Sequence, residues 1–175
     1  MKKIYIIVLL FLTLPLYAKM LISPIDSMKY SFGSASEISK QNILLNSTQA
    51  SQIQKSAKVK LKSKIFRVFT AKKGEEILGY GILVNRKIRS KNGVVLYMIS
   101  KDSVLKSIEM IAFNEPMEYL PSTKWLSQFD ELTSDKKLRV GKEIATITGA
   151  TLSARSVTDG SRLAFAFYDE IIKGK

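Results

Sequence analysis

The residues best suited to chemistry in this sequence lie in one short run, Ile147-Thr148-Gly149-Ala150-Thr151-Leu152-Ser153-Ala154-Arg155. Gly149 and Ala150 permit a tight turn with no large side chain in the way. Thr148, Thr151 and Ser153 set hydroxyls around the free N–H groups of a helix start, where the dipole favours negative charge. A phosphate group suits that combination. An ordinary threonine cap on a long helix needs the same residues, and the run alone does not choose between the two.

Elsewhere the chemistry is bounded by what is missing. The 175 residues include no His and no Cys. That excludes a Ser-His-Asp triad, imidazole ligands, thiolate nucleophiles, disulfides and iron–sulfur ligation. Redox or transfer chemistry then requires a borrowed organic cofactor, or oxygen ligands around a hard cation. The paired carboxylates Glu75-Glu76 and Asp130-Glu131 read as solvated charges at a turn and a helix end, and no metal site is read.

The elements that must position the run follow from pattern. Ser27 to Gln54 is polar and serine-rich, with Asn46 or Ser47 placed to cap a helix, and one or two short helices are expected there. From Lys64 onward β-branched and aromatic residues dominate four runs: Lys64–Ala71, Glu75–Ile88, Gly93–Lys101 and Val104–Phe113. Their connectors, Lys72-Lys73-Gly74, Ser90 to Gly93 and Lys101-Asp102-Ser103, are short turn formers and favour antiparallel hairpins. Pro121 opens a short helix carrying Trp125, Leu126 and Phe129 at helical spacing, with Ser122 or Thr123 as its cap. A turn over Thr133–Lys137 and a small strand Leu138–Val140 precede Gly141. The last helix runs from Thr151 to about Lys173. Val157, Ala164 and Ile171 form one stripe and Phe165, Tyr168 and Ile172 a second, so this helix is expected to be covered on two sides or to meet a partner. Gly160 within it costs about 1 kcal/mol relative to Ala and points to a close backbone approach or a kink. The expected fold class is α+β: an antiparallel sheet of four to five strands packed with N-terminal, middle and C-terminal helices.

At the N-terminus, Lys2 and Lys3 precede an uncharged run from Ile4 to Ala18 that ends Leu16-Tyr17-Ala18, the pattern of a secretory signal cleaved after Ala18. The alternative is an uncleaved anchor, prolonged by Met20, Leu21 and Ile22 past Lys19. Either assignment places residues 19–175, read as one domain, outside the cytoplasm. The formal charge is +13, and removing the two leader lysines leaves +11. Such a charge attracts anions: a phosphorylated cofactor, acidic redox partners or anionic headgroups. Nucleic acid is not expected, because the basic residues are spread along the chain without a recognised motif. The densest basic segment, Lys55 to Lys64, reads as a solvated helix end and strand entrance.

The run Thr146-Ile147-Thr148-Gly149-Ala150-Thr151-Leu152-Ser153 resembles the flavinylation motif of the FMN-binding domain family. That family includes covalently flavinylated subunits of Rnf and sodium-pumping quinone reductase complexes and their periplasmic relatives. Its pattern is Asp, two residues, Ser or Thr, Gly, Ala, then Thr or Ser. Here Thr148, Gly149, Ala150 and Thr151 fall in register, and Ala145 stands at the Asp position with Glu143 two residues upstream. Leu78-Gly79-Tyr80-Gly81 is similar to the family's Gly-Tyr-Gly signature. Glu118-Tyr119-Leu120-Pro121 with Trp125 to Phe129 is similar to the segment that lies against the flavin.

The resemblance implies FMN held covalently through a phosphoester to Thr151, installed from FAD by a separate Mg-dependent flavin transferase. It implies an electron carrier, not a stand-alone enzyme, working between membrane and periplasmic redox partners. Thr148, Gly149, Ala150, Leu152 and Ser153 would surround the phosphate, and Trp125, Tyr119 and Tyr80 are the aromatics available to wall the ring. Each of these aromatics also has a plain reading as core. Two alternatives stand beside the periplasmic carrier. One is a membrane-anchored subunit of a redox complex; the other is a non-redox exported module with Thr151 unmodified, binding a phosphate-bearing ligand reversibly.

Overall fold

A computed structural model of the chain describes residues 20–173. The expected leader, residues 1–18, lies outside the described residues. Six strands form one antiparallel meander in chain order: β1 (Glu37–Leu44), β2 (Ile65–Lys73), β3 (Glu76–Lys87), β4 (Asn92–Ser100), β5 (Val104–Phe113) and β6 (Leu132–Thr133). Four helices accompany it: α1 (Pro24–Phe32), α2 (Ser47–Ala57), α3 (Thr123–Leu126) and α4 (Thr151–Phe167). The α+β class and antiparallel sheet expected from the sequence are present, with one strand more than the upper expectation.

Period-two alternation divides the sheet's side chains between two cores. Phe66, Val68, Ile82, Val84, Val95, Tyr97 and Ile99 face α2 and α4, and Phe167 of α4 stacks on Phe66 with ring centroids 4.5 Å apart. Phe69, Ala71, Leu96, Met98 and Ile111 face the other way, onto Met28 of α1. Because helices cover both faces, the central run Val95–Ile99 is buried without a polar interruption. Burying each large apolar side chain of such a run contributes roughly 1.5–3 kcal/mol.

α4 is held between the sheet and α2, as its two apolar stripes require. Gly160 explains itself at this interface: a Cβ built there would lie 2.0 Å from the Tyr97 hydroxyl oxygen. That hydroxyl donates to the Val157 carbonyl at 2.9 Å, so the helix rests directly on the tyrosine. After Phe167 the helix loosens into a π-helical turn, Tyr168–Ile172, and the Tyr168 hydroxyl donates to the Lys101 carbonyl at 2.8 Å.

Two expectations need correction. The stretch Ser27–Gln54 contains helices as read, and Asn46 caps α2 with Gln49 in a reciprocal box. It also contains β1, whose polar residues hide the strand pattern because it is an edge strand with mostly exposed side chains. The small strand expected at Leu138–Val140 shrinks to a single bridge between Val140 and Ile144; the last strand is Leu132–Thr133, paired with Leu105 and Val104. Among the described residues no helix is long and apolar enough to cross a membrane.

Candidate functional site

α4 begins at Thr151 and is preceded by a tight turn in which the Ala150 amide donates to the Ile147 carbonyl at 3.0 Å. Gly149 adopts φ +77°, a left-handed conformation that favours glycine, and an added Cβ there would meet nothing within 4 Å. Glycine is thus favoured by the backbone and leaves open space beside it. Ala150, not a threonine, occupies the cap position, and its side chain forms no capping bond. The first-turn N–H groups of a helix have no partner within the helix, so this end keeps its donors and the positive end of its dipole.

Thr148, Gly149, Thr151 and Leu152 are exposed at this end, Leu152 with 46% of its surface in contact with solvent. Ser153 is fully buried, and its hydroxyl finds no hydrogen-bond partner. A buried hydroxyl without a partner is uncommon and costs about 1–3 kcal/mol. Arg155, one turn further on, is exposed.

The loop leading into the turn is fastened by the segment around α3. Trp125 Nε1 donates to the Ala145 carbonyl at 2.9 Å, and Gln128 Oε1 accepts from the Ala145 amide at 2.8 Å. Ser122 caps α3 by accepting from the Trp125 amide at 3.2 Å, which orients the indole. Phe129, completely buried, meets Trp125 edge-on with centroids 5.4 Å apart. Trp125 is therefore brought to the loop three residues ahead of Thr148, with its ring partly exposed. Gln128 holds the same loop, a role its sequence position, 17 residues from Ala145, gives no means of finding.

The other two aromatics are placed differently. Tyr119 sits in a 3-10 turn, Met117–Tyr119, with the Arg89 guanidinium 3.8 Å above its ring, so one of its faces is already covered. Arg89 belongs to the β3–β4 hairpin, where the buried carboxylate of Glu115 accepts from the amides of Arg89, Ser90 and Lys91 at 3.0, 2.6 and 2.7 Å. Those amide donors hold the Glu115 carboxyl below the usual carboxylate range. Tyr80 meets Tyr168 edge-on at 5.9 Å, beyond the C-terminal end of α4. A helix of 17 residues rises about 25 Å, so Tyr80 is not brought to Thr151. Tyr80 instead lines an open cleft of about 410 Å³ with Tyr168, Lys101 and Ile172.

The flanking glycines of Leu78-Gly79-Tyr80-Gly81 serve packing. A Cβ on Gly79 would approach the Phe32 ring to 2.4 Å, and one on Gly81 would approach the Met28 sulfur to 2.5 Å. Both glycines let α1 lie on the sheet.

Glu143 is the carboxylate nearest in sequence to Ala145. It is engaged by Arg139, whose Nε donates to it at 3.0 Å and whose Nη2 donates to its other oxygen. The guanidinium holds the Glu143 carboxyl down to about 2.

Fold and site together define a small α+β domain with a donor-rich, uncapped helix start displayed at its surface. A scan against protein-family models finds no match for this chain, and a search of curated proteins finds none either.

Proposed function

We propose that Thr151 carries FMN through a phosphoester, and that the domain works outside the cytoplasm as an electron carrier between membrane and periplasmic redox partners. The observation that carries this reading is the start of α4: an exposed Thr151 on an uncapped helix, next to a turn whose Gly149 is left-handed and a buried Ser153 hydroxyl without a partner. Phosphate held there would meet first-turn N–H donors and the favourable end of the dipole. The exposed apolar Leu152 and the partly exposed Trp125 offer surfaces for a flat ring.

The attachment balances simply. The Thr151 oxygen bonds to the FMN phosphorus of FAD, the pyrophosphate bond breaks, AMP leaves, and the hydroxyl proton passes to a base of the transferase. The cofactor supplies one- and two-electron chemistry when bound, and the protein's residues hold its phosphate and limit the movement of its ring. A covalent link prevents loss by dilution outside the cell membrane. The absence of His and Cys agrees with a chain that leaves redox chemistry to such a group.

Co-expression with an FAD-dependent flavin transferase, followed by intact-mass measurement of wild type and Thr151→Ala, tests the proposal. Wild type should gain one FMN less one water, and Thr151→Ala should gain nothing. No addition to either would favour the reversible phosphate-binding module, a reading supported by Ala145 standing where the family motif has Asp. Fractionation and N-terminal sequencing of the flavinylated protein separate the free carrier from an anchored subunit.

A further inference from the structure

The basic segment Lys55–Lys64 joins the end of α2 to the entrance of β2, with its lysines exposed as expected. Past α2 the chain turns at Lys58, in the left-handed conformation, and Gln54 then fixes the loop: its side-chain oxygen accepts from the Leu61 amide at 2.9 Å. Leu61 packs on the core, and Lys60 and Lys62 on either side of it are exposed. Across from this loop lies the end of β3. The cleft between them, about 340 Å³, is lined by the cations Lys60, Lys62, Arg67 and Arg86, and none of its lining residues is a carboxylate.

Arg86 is the most enclosed of the four. Its Nη2 donates to Asp159 of α4 at 3.1 Å, while its Nε is buried and has no acceptor in the protein. Asp159, shared with Arg162, offsets only part of one of the four charges and leaves the cleft strongly positive. Phe66 and Leu163 supply part of its apolar wall. At its mouth two large aliphatic side chains project into solvent: Ile65, 60% exposed, and its cross-strand partner Leu44, 72% exposed. A cationic hollow beside protruding aliphatic residues fits a group with an anionic head and an apolar tail, because the lysines and arginines meet the head while the aliphatic pair enters the acyl boundary.

We propose that this cleft seats the phosphate of an anionic phospholipid and sets this face of the domain against a membrane surface. The site is separate from the start of α4 and does not depend on flavin attachment.

Titration calorimetry of the full chain at low salt tests this, using dihexanoyl phosphatidylglycerol below its micelle threshold, dihexanoyl phosphatidylcholine, and glycerol 1-phosphate. The phosphatidylglycerol should bind saturably and at least tenfold more tightly than the choline lipid. Lys60→Gln/Lys62→Gln/Arg67→Gln should weaken it by roughly thirtyfold or more, given about a threefold to tenfold contribution per cation. Leu44→Ser/Ile65→Ser should remove its advantage over glycerol 1-phosphate. All five positions are exposed, and the leader is common to every variant, so differences among them report on the cleft. Equal binding of the two lipids, or unchanged affinity in the triple variant, overturns the site. Equal affinity of wild type for glycerol 1-phosphate and phosphatidylglycerol overturns the lipid assignment. Amide shifts of wild type provide a reading that needs no variant: phosphatidylglycerol should move the Lys60–Lys62 amides, and shifts confined elsewhere overturn the proposal.

Discussion

Glu143 lies two residues from Ala145, and its ionisation is governed by Arg139. A carboxyl depressed to about 2 in the folded protein, against an ordinary 4.5, contributes stability that is present above the ordinary value and lost as pH falls towards 2. Carboxyl NMR titration should therefore find Glu143 ionised at pH 3, and Arg139→Gln should return its midpoint towards 4.5. Ser153 gives a second prediction at this scale. Since its buried hydroxyl lacks a partner, Ser153→Ala should leave the unmodified protein equally stable or up to about 3 kcal/mol more stable in urea unfolding. The helix start at Thr151 was legible because a glycine turn, a hydroxyl and a helical stripe coincide within a few residues. Ala150 as the cap was not, since no side-chain preference favours alanine there.

The strands β2 to β5 were readable from their β-branched and aromatic runs, and α4 from its stripes. β1 was not, because an edge strand buries too little to show alternation. Tyr80 is a ring candidate by its motif and its aromatic character; its location depends on which end of the strand faces the helix start, and that is set by sheet register. Gly160 is the element-scale test of the α4–sheet contact. Gly→Ala in a helix ordinarily gains about 1 kcal/mol. Here Gly160→Ala should instead destabilise by about 1–3 kcal/mol in denaturant melts, as an overpacked site does. Tyr97→Phe should not rescue it fully, because the ring carbon bearing the hydroxyl would still lie 2.7 Å from the new Cβ. Gly79→Ala should likewise loosen α1 from the sheet, with the loss seen first as faster amide exchange in Pro24–Phe32.

For the whole molecule, the charge of +13, or +11 without Lys2 and Lys3, governs encounters. If acidic redox partners are the physiological ones, electron-transfer rates measured by stopped flow should fall steeply between low and physiological salt, while the unfolding midpoint changes little. A rate indifferent to salt would remove charge steering from the account. The sheet also has a second attachment beyond its six strands. The Leu21 amide donates to the Ile111 carbonyl at 2.9 Å and Met20 bridges to Ala112, so the polypeptide joins the outer edge of β5 almost at once. If the expected leader is cut after Ala18, the new N-terminus is the residue immediately before Met20. Maturation would then be a race between the protease and sheet closure, and lengthening the gap by a few Ser-Gly residues should let already folded precursor be trimmed.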